Sequence, residues 1–243
     1  MVTTFKGILM IYILFFLTLI FATTFLKTKA RKVTLQNDEG HTIVLQGTYH
    51  IADTHFYQSI FSDLSHYRNK NFNVLYELVV AQDPKKGKKK KLLSKRMANY
   101  FSQILKSDNQ QHYIAQYQQS DIRADVYLED ALLHIKDNSL NKQDIAVLFK
   151  INQFINKYKL NNLTRYFLNI LFYTSTFKDS LFPKENNNFI IGTRNKVVLN
   201  HINIDPTKNA YVHYGEGHIT DLILRLQKQN YKVVSCEYLT PFP

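Results

Sequence analysis

The sequence predicts an α/β domain with a mixed central sheet and flanking helices, carried on one N-terminal transmembrane helix. Three observations predict it. The stretch Gly47-Thr48-Tyr49-His50 follows an apolar, strand-like run and precedes an amphipathic helical pattern. The same arrangement returns at Gly215-Glu216-Gly217-His218, and each helical pattern gives way to a second strand-like run. An uncharged, strongly apolar run of 20 residues, 7–26, precedes both. The soluble part therefore opens and closes with the same strand, Gly-x-x-His, helix, strand unit. A glycine at such a turn lets the backbone take positive φ or approach a ligand closely. The histidine three residues on falls near the helix start, at the carboxyl end of a strand, where open α/β sheets keep their sites. Glycine is scarce, and three of the seven in the chain, Gly47, Gly215 and Gly217, fall in these two turns. The competing reading is an ordinary turn glycine followed by a histidine at a helix start.

The apolar run over residues 7–26 matches the roughly 30 Å hydrocarbon core of a bilayer at about 1.5 Å per residue. It exceeds the apolar part of a usual signal peptide, about 7–15 residues, and no small-x-small cleavage site follows it. The chain thus divides into an anchor with its basic flank, residues 1–32, and one domain, residues 33–243, helical from about residue 95 to 180. The protein is expected at a membrane as a single-pass chain. Lys27, Lys29, Arg31 and Lys32 after the run outnumber Lys6 before it, which favours a cytoplasmic domain. A short N-terminal anchor also commonly translocates the domain behind it, so the side stays open.

The net charge of +12 is local. The lysine block that starts at Lys85 and ends at Lys91, with Lys95 and Arg96, supplies +8, and the flank of the anchor supplies +4, leaving the folded body about neutral. Such a block is usually a solvated loop. Its functional alternative is contact with anionic lipid headgroups, at about 1 kcal/mol per basic residue near the surface. Nucleic acid is not expected as a partner, because the tract lacks interleaved aromatics and an accompanying motif. One cysteine, Cys236, excludes an intramolecular disulfide, and no Cys/His spacing suggests a zinc finger.

Taken in order, Val33 and Leu35 alternate with polar residues, Asn37-Asp38-Glu39-Gly40 carries turn chemistry, and a β-branched run comes next, predicting a hairpin over residues 31–46. Asp53 or Thr54 is placed to cap a helix whose Phe56, Tyr57, Ile60, Phe61, Leu64 and Tyr67 recur at helical spacing. The next strand, residues 72–78, carries Glu77 in an otherwise apolar stretch. A buried carboxylate there is costly unless paired or liganded, and the bland alternative is an edge strand facing water.

The middle of the chain reads as amphipathic helices around residues 97–105, 145–158 and 163–171. Between them, Ser120-Asp121-Ile122-Arg123-Ala124-Asp125 concentrates charge at a predicted turn, where Asp125 is best read as the cap of a following helix. Residues 189–202 regain helical spacing and put Arg194, four residues from Ile190 and from Val198, on the apolar face. An inward arginine needs a carboxylate or an anionic ligand. His201 shares that face and is read as a core histidine. Glu237, in the last strand, sits in a place loosely like that of Glu77.

Gly47-Thr48-Tyr49-His50, a strand ending Leu75-Tyr76-Glu77-Leu78, a helix containing Arg194-Asn195, and Tyr214-Gly215-Glu216-Gly217-His218, in that order, resemble the TraB/TIKI/GumN group. That group belongs to the superfamily that also holds erythromycin esterase and the haem-binding ChaN proteins. The resemblance spans the chain from about Val33 to its end. It implies functional roles for His50, His218, Glu77 and Arg194. Some members are metal-dependent peptidases, others hydrolyse a lactone ester, and several are known only as regulators. The chain departs from the group at Thr193, where a glutamate often precedes the arginine. On this resemblance His50, His218 and Glu77 are candidate ligands of a divalent ion (Mn, Co or Zn). Glu77 and Arg194 are the candidate catalytic residues of a hydrolase acting on a peptide or ester bond. If no metal binds, Glu77 and a histidine are candidates for general-base work, provided burial raises the carboxylate pKa toward neutrality. The alternative is a non-catalytic, membrane-tethered module that binds a ligand or regulates.

Overall fold

The structure is a computed structural model that describes residues 28–80, 108–127, 157–158, 183–186 and 189–242. The expected anchor, the lysine block and the helices expected over residues 97–105, 145–158 and 163–171 fall almost wholly outside these residues. Among the described residues, no helix is long and apolar enough to cross a membrane.

The sequence opens with the expected hairpin. β1 (Ala30–Gln36) and β2 (Thr42–Thr48) pair antiparallel from Lys32 opposite Gln46 to Gln36 opposite Thr42. Gly40 closes the turn at φ 84°, a conformation open to glycine at no steric cost, while the Asn37 side chain accepts from the Glu39 and His41 amides. After a two-residue strand β3 (Ile51–Ala52) come helix α1 (Thr54–Asn69) and β4 (Asn73–Tyr76). β5 (Asp108–Asn109) pairs with β3, a 3₁₀ segment covers Gln110–Gln116, and β6 (Ile122–Arg123) comes next. A wide helical turn, Phe189–Thr193, leads into α2 (Arg194–Ile204), then β7 (Ala210–Gly215), α3 (Glu216–Gln227) and β8 (Lys232–Leu239). The regular helix thus starts at Arg194, later than the periodicity alone predicts.

Six strands form one mixed sheet in the order β6-β4-β7-β2-β1-β8. β6, β4, β7 and β2 run parallel, and β1 lies antiparallel to both β2 and β8. The alternation of strand side chains separates two cores. On one face Val44, Val74 and Tyr211 meet Phe56, Tyr57, Ile60, Phe61 and Leu64 of α1. On the other, Ile43, Leu45, Leu75, Val212 and Tyr214 meet Val198, Leu199 and Ile202 of α2 and Ile219, Leu222 and Leu226 of α3. Each such side chain contributes about 1.5–3 kcal/mol when fully buried, so the periodic positions on both sides decide the three-layer arrangement.

The connections place the site. From β2 the chain crosses through α1 to β4 on one side of the sheet. From β7, the neighbour of β2, it crosses through α3 to β8 on the other. Right-handed crossovers leaving adjacent strands in opposite directions put their helices on opposite faces. The loops at the carboxyl ends of β2 and β7 then diverge and leave a crevice between them. Thr48 is paired with Gly215 at that end, so both Gly-x-x-His stretches flank this crevice.

The two stretches differ in local form. Glu216 opens α3 directly, so His218 lies in the first turn of the helix, whereas His50 precedes α1 and is followed by β3. The pairing of β3 with β5 lengthens the first turn. Glu237 also differs from its expected likeness to Glu77: β8 is an edge strand, and Glu237 is exposed on it.

Gly47 has a steric requirement and not a conformational one, because among the described glycines only Gly40 takes positive φ. A Cβ built there would overlap Oε2 of Glu216, a carboxylate fixed by the Arg31 amide at 2.8 Å and by Arg31 Nε at 2.5 Å. We therefore expect Gly47→Ala to break this buried pair and cost about 3 kcal/mol or more in urea unfolding. In a Glu216→Ala background the same substitution is expected to cost far less. Additive losses in the double-mutant cycle would show that the two positions do not compete for the space.

Candidate functional site

Glu77 follows β4 at its carboxyl end, and its amide continues the ladder by donating to the His213 carbonyl at 3.0 Å. Because β4 lies between β6 and β7, the edge-strand reading does not hold, and the Glu77 side chain is only 8% exposed. Its two oxygens have separate partners. Oε1 accepts from Arg194 Nη2 at 2.6 Å, and Oε2 accepts from the Gly215 amide at 2.5 Å. A Cβ at Gly215 would lie 3.0 Å from that same Oε2 and 3.6 Å from Cδ2 of His218. The glycines of both turns thus leave room for a carboxylate arriving from another element.

Arg194 projects inward from the first position of α2, as the spacing predicts, and meets two carboxylates. Besides Glu77 it donates from Nε to Asp125 Oδ1 at 2.8 Å and from Nη2 to Asp125 Oδ2 at 2.7 Å, the two-point geometry that suits a guanidinium. Asp125 is therefore an ion-pair partner, and the helix it is expected to cap lies outside the described residues. It stands just past β6, whose pairing with β4 carries it to the carboxyl edge of the sheet beside Glu77. The signal in the sequence is the charge cluster itself, around the short strand β6. Its neighbour Asp121 binds Arg68 of α1 and is separate from the site.

His218 is buried and held by Asn195. The Asn195 amide nitrogen donates to the His218 carbonyl at 3.1 Å and to Asp221 Oδ2 at 2.8 Å, which fixes its oxygen toward His218 Nδ1 at 2.7 Å. Nδ1 must therefore donate, and Nε2 carries the lone pair. Asp221 is held in turn by Arg225 at 2.7 Å and by the Asn186 amide at 2.5 Å. Asp221 gives no signal as a site residue, and Asn195 enters the sequence reading only beside Arg194 with no role of its own, because a polar residue on an amphipathic helix reads as solvent-facing. His50 is exposed, with Nδ1 3.1 Å from Gln110 Oε1, and the Gln110 amide donates back to the His50 carbonyl at 3.1 Å.

The electrostatics tie these groups together. Burial alone pushes the Glu77 carboxyl upward, but Arg194, then His218 and His50, and the Gly215 amide hold it below its ordinary value. Both histidines are thus near enough to act on the same carboxylate. Burial also keeps the Arg194 guanidinium from favouring its charge, yet Asp125 and Glu77 raise its pKa above normal. Burial lowers His218 to about 4, with Arg194 adding and Glu77 opposing. The expected route to a general base, a Glu77 pKa raised toward neutrality by burial, is therefore corrected: the ion pair outweighs desolvation and keeps Glu77 an anion and a weak base.

Among the described residues, no three His, Cys, Asp or Glu side chains are grouped so as to hold a metal ion. Both oxygens of Glu77 are engaged, while each histidine pairs Nδ1 with an amide oxygen. That second contact is the kind that orients metal-bound imidazoles. His201 takes no part in this cluster. It is half-buried on α2, and burial, followed by Arg123, lowers its pKa.

Beneath the crevice on the α1 side, His213 is fully buried, hydrogen-bonded through Nδ1 to the Tyr117 hydroxyl at 2.5 Å and in edge contact with Phe61. Burial lowers its pKa to about 3, against the pull of Glu77. A histidine near 6.5 when unfolded and about 3 when folded binds its proton first in the unfolded chain, so stability falls as pH drops from about 6.5 toward 3. The loss is on the order of a few kcal/mol, at about 1.4 kcal/mol per unit. We expect thermal melts to show this decline, and His213→Asn to lessen it, the part due to His218, lowered to about 4, remaining. An unchanged slope in the variant would place the acid sensitivity elsewhere.

Compared with models of known protein families, with curated proteins and with solved structures, the chain matches none.

Proposed function

We propose that the protein is a membrane-anchored member of the TraB/TIKI/GumN group and a hydrolase of a peptide or ester bond, with its site between the two Gly-x-x-His turns. The observation that carries this reading is the convergence of His50, His218 and Glu77 at the carboxyl ends of neighbouring parallel strands, at the point where the crossovers diverge. The fold brings together residues from both ends of the sequence where α/β sheets bind their ligands.

Each residue has a chemical part in this reading. His218 is neutral at pH 7 with its lone pair on Nε2, and Asn195 keeps it in that tautomer. His50 is positioned by Gln110. Those two imidazoles, with the remaining lone pairs of Glu77, are the residues that would hold a divalent ion such as Mn, Co or Zn. A bound ion of this kind supplies a water acidic enough to attack a carbonyl at neutral pH. Glu77 contributes a permanent negative charge to the crevice. Arg194 contributes a cation that balances it and stabilises negative charge on a carbonyl oxygen under attack, a part worth a few kcal/mol for a pre-positioned donor.

A second reading is favoured by a specific observation: Arg194 is shared between Glu77 and Asp125 with tight geometry, as a buried pair that only holds the fold would be. The protein is then a ligand-binding or regulatory module that keeps the cleft without turnover. Separate variants distinguish the two. For the hydrolase, His50→Ala and His218→Ala are expected to lower metal content and abolish turnover of peptide and ester libraries with Mn²⁺, Co²⁺ or Zn²⁺, with little change in melting temperature for the exposed His50 and a loss of about 1–3 kcal/mol for the buried His218, whose removal strands the Asn195 oxygen. Arg194→Lys keeps the charge and is expected to lose turnover more than stability. Arg194→Ala strands two buried carboxylates and is expected to cost about 3–5 kcal/mol in either case. Histidine variants that retain metal and activity, with an Arg194→Lys protein that unfolds, would leave only the binding module.

A further inference from the structure

We infer that the cleft faces the bilayer, and that the ester or peptide bond it acts on is carried by a molecule anchored in the same membrane. The inference rests on the anchor and on the hydrolase reading, and adds the substrate class. β1 runs antiparallel to β2, so the chain enters the domain at the carboxyl edge of β2, β7 and β4, the edge that holds the site. Its first residues are bound to both Gly-x-x-His turns. The Lys29 carbonyl accepts from the Tyr49 hydroxyl at 3.3 Å, beside His50. The Arg31 amide and guanidinium hold Glu216, and the guanidinium also reaches Thr220 at 2.9 Å.

Two residues lie between Leu26, the last of the apolar run, and Lys29, so the three steps of chain reach at most about 11 Å. The Lys29 carbonyl that meets the Tyr49 hydroxyl is therefore within that distance of the end of the anchor, and the turn containing His50 lies one tyrosine side chain beyond it. The hairpin turn at Glu39 lies at the opposite end of β1, about 20 Å farther along the strand direction. Two of the four basic residues of the flank are committed inside the fold, Arg31 to Glu216 and Lys32 to Asp63. Their role is to join the anchor to the domain, which leaves little slack for the cleft to turn away. A soluble substrate would have to enter between domain and membrane, whereas a bond presented at the membrane surface meets the cleft directly.

The test uses the full chain in phosphatidylcholine vesicles, with Cys236→Ser removing the native thiol. A fluorophore is attached in turn at His55→Cys and Thr240→Cys, both exposed at the site edge, and at Glu39→Cys on the far edge. Headgroup-nitroxide lipid is expected to quench the first two and leave the third bright. Equal quenching at all three positions, stronger quenching at 39, or failure of the chain to sediment with vesicles would overturn the inference. Fluorogenic peptide and ester probes, each made with and without a lipid tail, give the second readout. The tailed probes are expected to turn over faster, and a Gly/Ser spacer of about 20 residues after Leu26, reaching about 25 Å, is expected to erase the difference. Equal rates with and without the tail refute the substrate class. Hydrolysis of no probe removes the hydrolase reading and the substrate claim with it, and the quenching pattern still decides which way the cleft faces.

Discussion

The carboxylate of Glu77 is the group on which the rest of the site depends. One oxygen takes the Gly215 amide and the other takes Arg194, so a single side chain joins β4, the start of α3 and the start of α2 at one point. Leaving it unpaired would be costly, and each partner is itself committed: Arg194 to Asp125, Gly215 to the ladder with Thr48. The absence of a side chain at Gly215 permits the contact. The same device is used at Gly47, where the missing Cβ makes room for Glu216 and so for Arg31. Two glycines, two carboxylates and two arginines thus fix the carboxyl edge of the sheet from both sides of the crevice.

That edge balances charge without neutralising it. Arg194 faces two anions, and the carboxylates of Glu77, Asp125 and Asp221 all pull the His218 pKa upward. Desolvation nevertheless dominates at His218, which stays neutral. An anionic Glu77 beside a neutral imidazole whose tautomer is set by an amide is a poor proton acceptor pair. It leaves a fixed negative charge and the Nε2 lone pair side by side, although among the described residues no three such groups are gathered so as to hold a metal ion.

The sheet is legible in the sequence because its signals are local. The Val33 and Leu35 alternation, the Asn37 to Gly40 turn and the periodic α1 residues each act within one element, and the two cores follow from them. The inward Arg194 is legible for the same reason, since four-residue spacing fixes a helix face. Asp125 is not, because its partner lies 69 residues away and only the parallel pairing of β6 with β4 brings them together. Asn195 and Asp221 are hidden by type: an asparagine or aspartate on a helix has an exposed alternative, and only the tertiary position of His218 selects the buried one. Glu237 shows the converse error. Its place in the order of elements resembles that of Glu77, but one strand ends up central and the other at the edge, and strand order is not a local property.

The same non-local logic explains why both ends of the chain meet. Parallel strands need long crossovers, so a sheet whose central pair is β2 and β7 separates its site residues widely in sequence and rejoins them in space. His50 and His218 come to one edge because β7 pairs in parallel with β2. The hairpin then has a second consequence. By adding β1 antiparallel to β2, it returns the start of the domain to the edge where the parallel strands end. A domain beginning directly with β2 would have its entry point at the far edge and its cleft pointing away. One short antiparallel strand therefore decides which edge of an otherwise parallel sheet lies nearest the segment that precedes it.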